Sequence, residues 1–392
     1  MSDATIHDDP AILERFIPLS SAELAELLSE RHRCQHGDDP DFPRFVEGLA
    51  ALYDATYART LEELKRLYLP FNPDRDTRPV METAAVDAAA KRRLIAAIET
   101  LLQDANFDRL DQRRLNEALN KTSPYGVEVS VNLDEFQEIL LFYRGTALRT
   151  DRLRRWKTLF LRRETVTVPI YRRLFVLLQL QPEEDGRPAP IYMKLFKDIP
   201  HSDLETIFPN TEVKMRPFDK IKLAVTGGGG AATGIAGAVG KLTAAANPTA
   251  AAGAVAALAG IVWKQVSSVL VQRTRYMMQL AKNLYFYNLD NNLGALAYLV
   301  ELASAEEHKE ALLAYHCLLE RPGMNAAELD RAVEALITET AGVAMDYEVH
   351  DGLGKLRRLG LLREADGGAL TVPPPTEALE RLKEAWMALF PA

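Results

Sequence analysis

The runs LAVTGGGGAATGIAGAVG, Leu223 to Gly240, and LTAAANPTAAAGAVAALAGIVW, Leu242 to Trp263, decide how this chain of 392 residues is read. They lie between Asp219 and Asp290, a gap with no Asp or Glu in a chain that has 55 acidic residues. An even spread of charge would put about ten acidic residues there. A helix needs about 20 predominantly apolar residues to cross a hydrocarbon core of roughly 30 Å. The two runs supply 18 and 22 uncharged residues separated by Lys241. The expectation is a transmembrane helical hairpin within 216–275, with helices at about 221–240 and 249–270 and a turn at Asn247-Pro248.

Ala and Gly dominate both runs, so insertion of either helix alone is marginal. Ile221, Leu223, Val225, Ile235 and Val239 contribute roughly −1.5 to −3 kcal/mol together, against Lys222 and four glycines from Gly227 to Gly230. Pairing compensates, because Gly230, Gly234 and Ala238 on one run and Ala252, Ala256 and Gly260 on the other form small-residue ladders that let backbones approach closely. Lys214, Arg216, Lys220 and Lys222 precede the hairpin and Lys264, Arg273, Arg275 and Lys282 follow it, which orients both termini to the cytoplasm of a bacterial inner membrane. The competing reading is an Ala-rich buried helical hairpin of a soluble protein, with the glycines as linker.

Outward from the hairpin the chain reads as α+β and predominantly α. Residues 1–122 form a helical region: Ser20 with Glu23 is a capping box, Pro43 opens a long helix carrying Phe45, Leu49, Leu52, Thr56 and Tyr57, and Leu94, Ile98, Leu101 and Leu102 stripe a third helix. Residues 123–215 form a small α+β region, with antiparallel strands in Val127–Val131, Glu138–Arg144, Trp156–Val168, Ile170–Leu180 and Pro190–Ile199, and a turn at Glu183 to Gly186. Pro200 starts a short helix that Pro209-Asn210 ends. Residues 276–392 hold a linker helix, continuous from Val266 to about Ala303, and a winged-helix-like unit. That unit has three helices carrying Leu312/His316/Leu319, Leu329/Val333/Leu336/Ile337 and Val349/Leu353/Leu356, then a short hairpin turned at Asp366-Gly367.

Several stretches resemble a known family. YMKLFKDIPHSDLETIFPNTEVKMRPFDKIKL (Tyr192 to Leu223), KEALLAYHCLL (Lys309 to Leu319), DYEVHDGLGKLRRLGLL (Asp346 to Leu362) and FQEILLFYRG (Phe136 to Gly145) are similar to the uncharacterised family of transmembrane protein 143 and its bacterial relatives. The resemblance covers roughly residues 125–365. It implies a membrane hairpin at this position, carries over no established biochemical activity and leaves function open.

Composition narrows function without naming it. A net charge of −8 disfavours a general nucleic-acid partner. Arg152, Arg154, Arg155 and Lys157 lie in a locally basic stretch that could meet lipid headgroups, at about 1 kcal/mol per residue; a solvated face is the plainer reading. Cys34 and Cys317 form no spacing motif, so neither a disulfide framework nor a zinc site is expected, and the acidic start of the chain does not read as a cleavable signal. Asp198, His201, Asp203 and Glu205 could be drawn as a metal or acid/base cluster, but capping explains acids in a first helical turn. Arg31-His32-Arg33-Cys34-Gln35-His36 offers three ligands and reads as a solvated helix end. Gly240-Lys241 lacks the Gly and Ser/Thr of a phosphate loop. Lys355, Arg357 and Arg358 fall on the third helix of the winged unit, where a protein partner would dock or a nucleic acid be read.

These readings point to a non-enzymatic, membrane-anchored scaffold or interaction protein, with the lipid bilayer, a protein partner or a sibling chain as partners. No cofactor, metal or catalytic residue is expected. A membrane-tethered nucleic-acid binder and a metal-dependent enzyme are the alternatives.

Overall fold

The computed structural model describes residues 5–8, 13–76, 88–111, 113, 115, 128–154, 163–181, 189–209, 211–214, 285, 287–365 and 367–389. Their fold is α+β, and the chain divides into two compact units. The first unit takes residues 1–111, 135–199 and 289–392; the second takes 112–134 and 200–288. The first therefore interleaves stretches that the sequence reading placed in three successive regions.

Helix α1 (Ser21–His36) starts at the anticipated capping box, in which Ser20 accepts from the Glu23 amide and Glu23 from the Ser20 amide. Two such reciprocal bonds satisfy amides that the first helical turn leaves orphaned. Helix α2 (Asp41–Tyr68) buries Phe42, Phe45, Val46, Leu49, Leu52, Tyr53 and Tyr57 on one stripe, and α3 (Ala88–Asp104) buries Leu94, Ile98, Leu101 and Leu102. Helix α4 (Asn292–Glu320) runs through the middle of this unit and packs against α1, α2 and α3 and against the two helices that follow, α5 (Ala326–Ala341) and α6 (Val349–Arg358). A hairpin of β9 (Arg363–Glu364) and β10 (Leu370–Thr371) and the last helix, α7 (Pro375–Leu389), complete the chain, with α7 lying on α2.

The sheet of this unit has the order β1-β4-β5-β6-β8, with β2 also on β4. Its strands are β1 (Thr5–Asp8), β2 (Asp108–Arg109), β4 (Phe136–Arg154), β5 (Arg163–Leu180), β6 (Ile191–Pro200) and β8 (Asn288–Asn291). The long antiparallel pair β4/β5 is in register at Phe142 and Phe175 and carries an irregularity between Phe136 and Glu138. Side chains two apart share a face. Leu140 and Phe142 on β4, Phe175 and Leu177 on β5, and Ile191, Met193 and Leu195 on β6 thus join the same apolar core as the helices. Arg144 continues that face of β4 toward the interior.

The second unit contains a two-stranded antiparallel sheet, β3 (Glu128–Val131) with β7 (Thr211–Lys214), and a 3-10 turn at His201–Ile207 preceded by Pro200. Among the described residues of this unit Leu115, Leu204, Ile207 and Phe208 are buried and apolar. The expected strand at Val127–Val131 belongs here, with β7 as its partner, and not to the main sheet.

Two expectations are corrected. Among the described residues no helix is long and apolar enough to cross a membrane. The two-helix transmembrane hairpin, the two-span placement in a bacterial inner membrane and the membrane-anchored scaffold drawn from it are not carried by this fold. The longest described helix, α4, has the length but carries Glu301, Glu306, Glu307, Lys309, Glu310 and Glu320. The helices at 221–240 and 249–270, with Gly230, Gly234, Ala238, Ala252, Ala256 and Gly260, lie outside the described residues, as does the turn at 183–186. Second, the continuous helix from Val266 to Ala303 is interrupted: strand β8 precedes α4, and Asn292 takes a left-handed φ of 50°. Its buried side chain accepts from the Met193 amide at 3.0 Å.

Candidate functional site

Five consecutive polar residues in the middle of α4, Glu306, Glu307, His308, Lys309 and Glu310, are all buried. Successive helix positions step about 100° around the axis, so the five point in every direction. A buried charge is tolerated only where it is paired and hydrogen-bonded, and each direction here meets a different element.

Toward the sheet, Glu306 accepts from Arg144 of β4 at 2.5 Å, from Lys309 at 2.6 Å and from the Ile17 amide at 3.1 Å. Lys309 also donates to the carbonyls of Ile17 and Leu19, at 2.9 and 3.1 Å. Burial lowers the pKa of both Arg144 and Lys309, against the pull of Glu306. Toward α6, the Lys355 ammonium, 0 % exposed, is held by Glu310, by Glu307 at 2.7 Å and by Asp351 at 2.6 Å. Burial works against this ammonium, but Glu310, Glu307 and Asp351 together outweigh it and push its pKa up. One cation serves three carboxyl groups. Burial therefore raises Glu310 to about 7, against Lys355 and the Asn106 amide that donates to it at 2.8 Å. Glu307 is raised for the same reason.

Beside this cluster a cleft of about 440 Å³ opens between α2, α6 and α7, with Tyr53, Tyr57, Asp104, Glu307, Lys355 and Arg358 among its lining residues and Leu52, Leu359 and Leu389 as apolar wall. The Tyr57 hydroxyl donates to Asp104 at 2.9 Å, and burial raises both the Asp104 carboxyl and the Tyr57 phenol. Among the described residues no Lys, Arg or His lies within salt-bridge distance of Asp104 (≤ 4.0 Å). Arg358 reaches Glu307 at 3.4 Å and is otherwise exposed.

The residues expected to dock a partner or nucleic acid are thus separated by the fold. Lys355 is an internal counter-ion, not a surface contact; Arg357 is held by Glu364 of β9, and Arg358 faces the cleft rim. A nucleic-acid reading loses its central cation. Arg152 and Arg154 lie on β4 with side chains outside the described residues, and Arg155 and Lys157 fall wholly outside them. Asp198 sits on β6 with a left-handed φ of 50°, while His201 and Asp203 belong to the 3-10 turn of the second unit and the Glu205 side chain is outside the described residues. Among the described residues the carboxylates and histidines that do converge are Glu307/Glu310/Asp351 and His32/His36/Glu320. In the first group Lys355 already supplies the positive charge. The helix half of the second group was visible in the sequence as the tract read as a solvated helix end, but His32 is buried, and Glu320, which completes the group, is 284 residues from His36, where no local pattern announces it.

Over residues 136–294 the chain matches a family described as "Protein of unknown function (DUF3754)". That span runs from β4 into the first turn of α4, so it stops short of Glu306 and of the cleft. Nothing in the match links the chain to transmembrane protein 143. No solved structure matches the chain.

Proposed function

We propose that the chain is a non-enzymatic interaction protein, and that the cleft between α2, α6 and α7 receives a basic side chain of a protein partner. Kinship with the transmembrane protein 143 family, read from the strings quoted above, belongs to this proposal and brings no activity with it. The observation that carries the reading is the Asp104 carboxyl group, half-buried in the cleft wall with Tyr57 as its hydrogen-bond donor and, among the described residues, no cation within salt-bridge distance. Asp104 and Glu307 line the cleft with Lys355 and Arg358, and Lys355 is also shared by Glu310 and Asp351, which are not lining residues, so four carboxyl groups share two cations over the cleft and the adjoining cluster. A guanidinium or ammonium on an apolar stem matches both the charge excess and the leucine wall, since such stems lie along apolar surface while the head stays polar.

Calorimetric titration of the full chain with N-acetyl-arginine methylamide tests this, with N-acetyl-norleucine methylamide as the uncharged control. Saturable binding of the arginine compound alone is expected. Asp104→Asn should weaken it about tenfold or more, the scale of a charge-assisted hydrogen bond of about 1.5–3 kcal/mol. Equal binding of both compounds, or an unchanged Asp104→Asn variant, would reject the reading.

A further inference from the structure

We infer that His32, His36 and Glu320 form a binding site for one divalent transition-metal ion, Zn²⁺ or a close relative, with Asp39 as the outer carboxylate that orients His32. The site ties the end of α1 to the end of α4. His32 and His36 lie four residues apart on α1 and so project from one face of the helix. Glu320, the last residue of α4, places Oε1 at 3.2 Å from His36 Nε2 and at 3.7 Å from His32 Nδ1. One donor atom from each of the three side chains lies within 4.8 Å of the others. Tetrahedral zinc with Zn–N and Zn–O bonds of about 2.0–2.2 Å holds its donors about 3.3 Å apart. The Gln35 side-chain amide lies against both Glu320 oxygens and turns away when the set closes to that geometry.

The independent observation is the state of His32. It is 4 % exposed, and its Nδ1 makes no hydrogen bond although it is aimed at Glu320. Its Nε2 lies 3.3 Å from Asp39 Oδ2. A carboxylate only accepts, so Nε2 is the nitrogen that donates to Asp39, and in the tautomer with its single proton there Nδ1 presents the lone pair a metal needs. This carboxylate–histidine arrangement is the one that metal-ligating histidines use to fix tautomer and ring orientation. Stacking holds the ring in place, with the Phe42 centroid at 4.1 Å on one contact and the His36 centroid at 4.6 Å on another. Electrostatics favour a cation here. Both α1 and α4 end at the site, and helix C-termini carry partial negative charge. The neighbouring guanidinium groups of Arg31 and Arg33 face carboxylates of their own, Glu339 and Glu30. Two imidazoles and one carboxylate, with no thiolate, suit zinc or cobalt and leave a fourth position for water. Cys34 is two residues from each histidine and lies on another face of the helix.

Chelator-treated full chain titrated with Co²⁺ should show one saturable equivalent with visible bands of tetrahedral nitrogen and oxygen coordination. Zn²⁺ should displace it and raise the thermal unfolding midpoint, and Mg²⁺ should do neither. His36→Ala, at a half-exposed ligand whose loss leaves the core intact, and Glu320→Gln should each weaken Co²⁺ binding at least tenfold. Asp39→Asn should weaken it about 10- to 100-fold. Asp104→Asn should leave it unchanged, so this result stands apart from that of the cleft. A chain that binds no stoichiometric Co²⁺, or whose binding survives both His36→Ala and Glu320→Gln with the visible bands intact, overturns the inference.

Discussion

His308 and His316 are the two residues of α4 with a buried ring nitrogen that has no hydrogen-bond partner among the described residues. The His308 ring is buried near Tyr53, its Nε2 has no hydrogen-bond partner among the described residues, and burial takes its pKa down to about 4. His316, one helical face further on, is lowered to about 4 by burial and by the nearby His32, Arg31 and His36. A histidine depressed in the fold stays neutral there while the unfolded chain binds a proton below about pH 6.5, so stability falls as pH drops from about 6.5 to 4. Each contributes on the order of 3 kcal/mol across that window, at 1.36 kcal/mol per pH unit. His308→Leu should remove one proton from the slope of unfolding free energy against pH between 4 and 6.5, measured by urea titrations at several pH values. An unchanged slope would mean that the ring is protonated in the fold. Lys355 gives the opposite kind of test. Lys355→Ala leaves Glu307 and Glu310 buried without their ammonium and should cost about 3–5 kcal/mol in the same urea assay at pH 7. Adding Glu310→Gln should recover part of the loss, and a loss that does not shrink would separate the two residues energetically. From sequence, Lys355 reads as one of three exposed cations on a short helix. Its three carboxyl partners include two from α4, 45 and 48 residues earlier, and no local pattern announces them.

At the scale of elements, α6 approaches α4 closely at Gly352, besides the ion pairs of Lys355 and Arg358. The Tyr347 hydroxyl donates to the Glu310 carbonyl at 2.9 Å and lies against Gly352, where an added Cβ would fall 2.0 Å from that oxygen. Gly352→Ala must therefore displace Tyr347 or tilt α6, at about 1–3 kcal/mol by the usual scale of overpacking. In a Tyr347→Phe background the same substitution should cost less, because the clashing oxygen is gone. Equal costs in both backgrounds would show that the helix moves as a body. Elements of this kind were legible where local chemistry is complete. The box at Ser20/Glu23 and the stripe of α3 declare themselves within a few residues, and the three helices and short hairpin of 292–371 appear in the expected order. The run Glu306 to Glu310 was not legible as interior, because periodicity assigns polar residues to a wet face and cannot show that Arg144, Ile17 and Lys355 wait on three sides. Strand β8 was hidden for a related reason. The bond from Met193 that selects Asn292 comes from 99 residues away.

At the scale of the molecule, α4 replaces the idea of a self-contained C-terminal domain. Twenty of its 29 residues are buried, among them every residue from Glu306 to Leu318. A helix buried all round needs partners on every side. The helices that follow it in sequence, α5 and α6, cover only part of that surface. The rest is covered by earlier chain: Phe45 of α2 packs on Tyr315 with ring centroids 4.2 Å apart, Ile17 and Leu19 accept from Lys309, and Arg144 of β4 closes on Glu306. The expectation of a separable region at 276–392 meets a core that draws on residues 13–111 and 135–199 as well. A fragment of residues 289–392 would expose Tyr315, Leu312 and Leu313, at about 1.5–3 kcal/mol for each large apolar side chain returned to water. It would also strip Glu306 and Lys309 of their cross-chain bonds. Such a fragment should retain some helical circular dichroism but show no cooperative thermal or urea transition and no amide protection in α4. A sharp two-state transition in the isolated fragment would show that α4, α5 and α6 carry their own core, and that the earlier chain merely covers it.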